Sequence, residues 1–266
     1  TRLMAPATVD RAGAMSRVHS QPADDASRHE ALKALVSCPT GSIRSEQRQA
    51  DLPRAMAALP APLEGPVFHC GWAAEASFGA ASWLVQRETG NVLVDSPRYT
   101  PQLAKRLEEL GGVHTLFLTH KDDVADHARF AEHFGARRVL HAADVVPGTE
   151  DVEILLEGED DVALADDLLV IPTPGHTEGS LCLLVGGRYL FSGDHVYWND
   201  DHEALRTTLA YCQYDWDVQR ASVERLASHR FRWILPGHGR KVALPPAEMG
   251  QALRACAEWM GGVRPH

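Results

Sequence analysis

Several things are scarce or missing in this 266-residue chain. No apolar run, Leu181–Val185 included, approaches the roughly 18 residues a membrane-spanning helix needs. There is no C-x-x-C, and the five cysteines (Cys38, Cys70, Cys182, Cys212, Cys256) are odd in number and widely spaced. That spacing argues against a disulfide scaffold or a cysteine zinc knuckle and for a reducing compartment. Cationic charge is short as well: Lys and Arg number 26 against 36 Asp and Glu, a net charge of −10. Nucleic acid would meet net repulsion, and only a local basic patch could offset it. No repeat, low-complexity tract, signal or transit segment is readable, and the start at Thr1 reads as a processed or truncated form.

What is present is an ordinary soluble composition, 44% hydrophobic and 23% charged, in a chain long enough for a sizeable core. Residues 1–45 hold one amphipathic helix, from about Asp25 to Ser37, ended by Cys38-Pro39. Residues 46–66, with Pro53, Pro60, Pro62 and Pro66, carry no period and read as a linker. From Val67 onward runs of strands alternate with helices. The expected strands are 67–70, 80–86, 91–95, 113–119, 137–141, 152–156, 168–171, 181–185, 189–192 and 231–235. Helices are expected around 103–110, 123–134, 218–229 and 246–260. This order predicts an α/β domain with helices outside two sheets, over residues 67–266.

Histidine is abundant, at 14 residues, and several stand where an apolar strand meets a Gly-containing loop. Four clusters do so: Thr119-His120-Lys121-Asp122-Asp123-Val124-Ala125-Asp126-His127, Pro174-Gly175-His176-Thr177, Ser192-Gly193-Asp194-His195 and Pro236-Gly237-His238-Gly239. Imidazole and carboxylate held at a rigid strand end suit divalent zinc, iron or manganese. Each cluster alone has a plainer reading: His176 and His238 as loop residues between small neighbours, His127 as a packed helix residue, Asp194 as a hydrogen-bonded strand end. Turns alone do not explain all four in one chain.

In this order the clusters resemble the metallo-β-lactamase superfamily, in its glyoxalase II-like branch. Its pattern is a His-x-His-x-Asp-His loop, then Gly-His-Thr, Gly-Asp and a final Gly-His. The resemblance covers roughly residues 67–245 and implies an αββα sandwich with a metal site at one edge. It implies His120, Asp122 and His176 on a first metal. Asp194 would bridge to a second metal shared with Asp126 and His238 or His127. Asp95, ending its strand, would brace the metal loop from behind, although a cap for the Ser96-Pro97 turn accounts for it equally. The loop departs from the pattern: Asp122 stands where a second His belongs, and Asp126-His127 comes two residues late. A longer loop would absorb the shift; on a helix the same two side chains would be rotated by about 200° and miss the cleft.

The stretch Val94–Thr100 and the loop Thr119–His127 further resemble a plant and cyanobacterial group in which a ferredoxin-like segment precedes such a domain. The helix followed by Cys38-Pro39-Thr40-Gly41-Ser42-Ile43 is similar to the end of a bacterial-type ferredoxin. Without a C-x₂-C-x₂-C run, Cys38 would be a lone ligand or an ordinary buried thiol, so no iron–sulfur cluster is expected. By resemblance the compartment would be chloroplast or cytoplasm.

The activity implied is hydrolysis of a small thioester or ester by hydroxide on one of two divalent metals, zinc or iron, with Asp126 and Asp194 central to catalysis. An alternative is a single-iron sulfur dioxygenase acting on a persulfide, since His120, His176 and Asp194 match that triad. A further alternative is a non-catalytic redox or assembly partner docking through the N-terminal segment. No membrane or nucleic-acid partner is expected.

Overall fold

The computed structural model describes residues 4, 5, 7–12 and 15–263. They fall into two compact units. One runs to Leu116 and includes Ala125–Ala136; the other comprises Phe117–Val124 and the chain from Arg137 onward.

In the first unit, strands β1 (Val9–Ala12) and β2 (Met15–Val18) form an antiparallel pair. Helix α1 (Asp25–Val36) starts at Asp24, whose carboxylate accepts the Ser27 N–H at 2.7 Å while Ser27 Oγ accepts the Asp24 N–H. This reciprocal cap satisfies two backbone donors that the first turn leaves over. The expected helix is therefore present, with Ser37 as its cap. Segment 46–66 is not bare linker: it contains α2 (Leu52–Ala57) and β3 (Ala61–Glu64). Six residues are too few to display a helical period. Pro53 sits in the first turn, where a missing N–H costs nothing. Pro62 is tolerated because β3 is an outermost strand.

Strands β4 (Val67–His69), β5 (Trp83–Val85) and β6 (Val92–Val94) follow as antiparallel neighbours. Helix α3 (Pro101–Glu109) is capped by Thr100 Oγ1, which accepts the Leu103 N–H at 3.1 Å. Next come β7 (Thr115–Phe117) and α4 (His127–Phe134). Helix α4 starts four residues later than the expected Asp123. Lys121 N–H and the Asp122 carboxylate are taken by tertiary hydrogen bonds, which hold 121–123 in turns instead of helix.

The second unit opens with the parallel pair β8 (Arg137–His141) and β9 (Ile154–Leu156). It continues through β10 (Val162–Ala165), β11 (Leu168–Pro172), β12 (Leu181–Val185), β13 (Tyr189–Gly193) and the pair β14 (Tyr197–Asn199) and β15 (Ala204–Arg206). Helix α5 (Trp216–Leu226), β16 (Trp233–Pro236), β17 (Val242–Ala243) and helix α6 (Pro246–Gly262) complete it. One sheet has the order β10-β11-β12-β13-β16-β17. Its two central strands β12 and β13 are buried at every residue, which is why they read as unbroken apolar runs. Val223 and Leu226 of α5 and Met249, Leu253, Cys256 and Met260 of α6 form one core with Leu190 and Ile234 of that sheet. Trp216 Nε1 donates to the Met260 carbonyl at 3.1 Å, tying the two helices. Truncating a core leucine such as Leu253 to Ala costs roughly 2–5 kcal/mol.

This topology sets up the site. Strand β11 is antiparallel to β12, β12 to β13, and β13 is parallel to β16. Strands β11, β13 and β16 therefore run the same way. The loops after Pro172, Gly193 and Pro236 leave the sheet at one edge, and they carry His176, Asp194 and His238.

Candidate metal centre

His120 follows β7, and the loop it begins is anchored by Leu181 N–H donating to the Thr119 carbonyl at 2.8 Å. His120 Nδ1 pairs with Thr119 Oγ1 at 3.0 Å, which leaves Nε2 facing the carboxylates. From Nε2 the nearest oxygens are Asp122 Oδ2 at 3.8 Å and Asp194 Oδ2 at 4.0 Å. His176 Nε2 lies 3.7 Å and 4.0 Å from the same two oxygens. The two rings meet edge to face, centroids 4.9 Å apart. His238 Nδ1 is 2.8 Å from Asp194 Oδ1, so Asp194 joins the last loop to the other two.

Two glycines explain how the backbones come this close. Gly175 has φ +142°, and a Cβ there would lie 2.2 Å from Gln219 Cα. A Cβ on Gly237 would lie 2.7 Å from Asp123 Oδ2 and 3.0 Å from Asp194 Oδ1. The glycine before His176 and the one before His238 are thus steric requirements of the fold.

The electrostatics favour a cation. Burial pushes His120 below the ordinary imidazole range, so it stays neutral with a lone pair to give. The neighbouring His176 imidazole, helped by His120 and the Gln213 amide, holds Asp122 below its usual carboxylate range against the effect of burial. Burial works against ionisation of Asp194, but the His238 hydrogen bond and the neighbouring imidazoles outweigh it and keep the carboxyl below its usual range. Nε2 of His120 and Nε2 of His176 are both buried with no hydrogen-bond partner. Orphaned buried nitrogens are costly unless something binds them. Two donors each about 2.1 Å from one ion stand roughly 3–4 Å apart, close to the separations found here. The residues present fit a divalent metal.

Among the described residues, two donor groups could hold such an ion: His120, Asp122 and His176; and His120, Asp123 and Asp194. Of the residues singled out in the sequence, the second unit brings together His120, Asp122, His176, Asp194 and His238. Asp126 and His127 belong to the first unit and enter neither donor group. Asp126 accepts the Tyr99 N–H at 2.7 Å and lies 3.7 Å from Arg129. Asp95 is buried, with φ +55°, at the end of β6. Three residues escaped sequence reasoning: Asp123, Gln213, whose amide donates to Asp122 Oδ2, and Asp144, whose carboxylate accepts hydrogen bonds from the loops of His120 and His176. Asp144 follows β8 as a strand-end carboxylate, a signal that was there to read. Gln213 offered none.

Residues 78–238 match the family model of the metallo-beta-lactamase superfamily. The chain belongs to the metallo-beta-lactamase superfamily. A hydroxyacylglutathione hydrolase of Anaeromyxobacter dehalogenans is 38% identical over 103 residues, 37% of this chain. That match spans only 39% of the relative's own length. Among solved structures, a metallo-beta-lactamase from Hirschia baltica aligns with a TM-score of 0.56 at 16% identity over 74% of this chain and 96% of its own. ETHE1 from Myxococcus xanthus aligns at 0.51 and 20% identity over 70% and 83%. At these identities the solved structures speak for the fold alone. It is the mixed α/β metallo-β-lactamase sandwich with two sheets, as the motif order implied.

Counted from His120 along the superfamily's loop pattern, its Asp and final His would fall at 124 and 125. Val124 and Ala125 stand there, and neither side chain can bind a metal.

Residues 2–45 match a second model, the 4Fe-4S single cluster domain of Ferredoxin I. Cys38 is the one cysteine in that stretch. Its sulfur lies 3.8 Å from Thr40 Oγ1 and 3.7 Å from Ser42 Oγ. Burial raises the thiol, but hydrogen bonds from the Ile43 backbone and from Ser42 and Thr40 bring it down to about 7. A four-iron cluster is held by four thiolates, so the donors of residues 2–45 do not fit that group.

Proposed function

We propose that this chain is a metal-dependent hydrolase of the glyoxalase II-like kind, acting on a small thioester or ester. One observation carries the reading: two buried histidine nitrogens without hydrogen-bond partners converge on the Asp122 and Asp194 carboxylates at 3.7–4.0 Å. The hydrolase relative adds support for the substrate class. When bound, a divalent metal lowers the pKa of water towards 7 and withdraws charge from a carbonyl oxygen.

The residues divide the work. His120, Asp122 and His176 hold the first ion, with Gln213 fixing the Asp122 carboxylate through its amide. Asp194 and His238 serve a second ion. Asp123, grouped with His120 and Asp194, would be the further carboxylate there. His238 Nδ1 donates to Asp194 Oδ1, which orients the half-exposed imidazole.

A second reading is favoured by Val124 and Ala125, which remove the pattern's second-metal ligands from the loop. Under it one iron is held by His120, His176 and Asp194, a 2-His-1-carboxylate set suited to oxygen chemistry, and the substrate is a persulfide. One experiment separates the readings: metal content per chain, with hydrolysis of an acyl-glutathione thioester and oxygen uptake on glutathione persulfide measured in parallel. Two ions with thioester cleavage support the hydrolase. One iron with oxygen uptake replaces it with the dioxygenase. A chain that takes up no metal leaves only a binding role, for which the N-terminal segment is the docking candidate.

A further inference from the structure

Asp144 lies in a single turn of 3₁₀ helix, Ala142–Asp144, directly after β8, and is fully buried. A buried carboxylate persists only where hydrogen bonds replace the water it has lost. Asp144 has three. Oδ2 accepts the Lys121 N–H at 3.0 Å and the Thr177 hydroxyl at 2.6 Å, and Oδ1 accepts the Gly179 N–H at 2.8 Å. Lys121 lies between His120 and Asp122, and Thr177 follows His176. One carboxylate therefore grips both loops that supply the first donor set, one residue away from each ligand.

The approach is close. A Cβ on Gly179 would lie 2.8 Å from the Asp144 carboxylate, so the loop after His176 is seated directly on it. Thr177 Oγ1 is also 2.7 Å from Ser180 Oγ, and Ser180 Oγ accepts the Thr177 N–H at 3.0 Å. The loop is thus closed on itself and clamped from below. His120 and His176 sit on separate loops, and the Asp144 side chain bonds the backbone of the first and both a hydroxyl and a backbone N–H of the second.

We propose that Asp144 is a positioning residue for the metal centre: it sets the separation of His120 and Asp122 from His176 without touching the ion. The inference rests on the metal reading above. An ion bound by donors on two loops gains affinity when their spacing is preset, because it does not have to order them itself. Removing such a support weakens metal binding about 10–100-fold.

The test is cobalt(II) titration of the full chain, followed by its visible d–d bands, on the wild type, Asp144→Asn, Thr177→Val and Leu253→Ala. Asp144→Asn keeps the shape but turns one acceptor into a donor facing an N–H. Thr177→Val removes one of the three bonds and serves if Asp144→Asn does not fold. Leu253→Ala destabilises the α5–α6 core without touching the loops. The expected result is roughly 10–100-fold weaker cobalt binding with displaced bands for Asp144→Asn, a smaller shift of the same sign for Thr177→Val, and wild-type affinity and bands for Leu253→Ala. Wild-type affinity and bands in both loop variants would overturn the inference, as would equal weakening in Leu253→Ala. A wild-type protein that binds no cobalt overturns the metal reading first, and the inference falls with it.

Discussion

Two parts of this chain match families that bind metal, and they differ in what they still hold. Over residues 78–238 the candidate donors are numerous: two histidines and two carboxylates face one another within about 4 Å, and a third histidine is bonded to one of them. Over residues 2–45 the family match persists with a single thiol, seated among hydroxyls. The difference teaches that a fold and its metal site are separable. Helix α1 is held by its cap and by apolar burial of Leu32, Ala34 and Val36, none of which needs a metal. A metal centre, by contrast, needs several ligands acting on one ion.

The largest expected effect breaks the second unit's side of that contrast. His176→Ala removes one of two orphaned nitrogens. Metal content should fall to near zero, with activity lower by roughly 100-fold or more, beyond the 10–100-fold of supporting residues. Metal analysis and thioester hydrolysis check this, and retained stoichiometry would mean that the donor set is wrong.

Acid should act next. In the metal-free chain, burial pushes His120 below its ordinary range and His195, whose ring nitrogens lack hydrogen-bond partners, down to about 3. Both folded values lie below the unfolded value of about 6.5, so the unfolded chain takes up protons first. Their contribution is fully present above about pH 6.5 and is lost as pH falls towards the folded values, at up to ~1.4 kcal/mol per pH unit per group. Urea midpoints between pH 6.5 and 5, above most carboxylate titration, should decline. A flat profile there would show that neither imidazole is buried neutral.

Asp126→Ala is a finer instrument. It costs the Tyr99 N–H its acceptor, worth about 1 kcal/mol. In a two-ion centre that uses Asp126 the metal count drops by about one; in a one-ion centre it does not change. Chemical denaturation and metal analysis on the same sample separate structural from ligand roles.

The smallest effect belongs to the N-terminal segment. Cys38→Ser should leave metal uptake and activity unchanged and shift stability by less than about 1 kcal/mol. Alkylation of the wild type should follow a thiolate forming near pH 7 at Cys38, while Cys70 and Cys256, raised to about 12 by burial, stay silent until unfolding. Lower metal content in Cys38→Ser would join the two regions that the contrast keeps apart.

The order of the four strand-end clusters is a property of the linear chain, and with it came the fold class and the candidate donors His120, Asp122, His176, Asp194 and His238. The strands were legible where burial is complete, as in Leu181–Val185, because an unbroken apolar run has one economical solution. Short elements were not: α2, β3 and the β14–β15 pair have too few residues to display a period. The start of α4 was misplaced because local propensity cannot know that Lys121 and Asp122 are claimed by Asp144 and Gln213, residues 23 and 91 positions away. For the same reason tertiary structure alone brought Asp123 beside Asp194 and left Asp126 on the Tyr99 N–H. Sequence specifies which donors exist and in what order. Which of them share an ion depends on distances across the sheet edge, set by the parallel pairing of β13 with β16 and by glycines that let backbones approach where any side chain would collide.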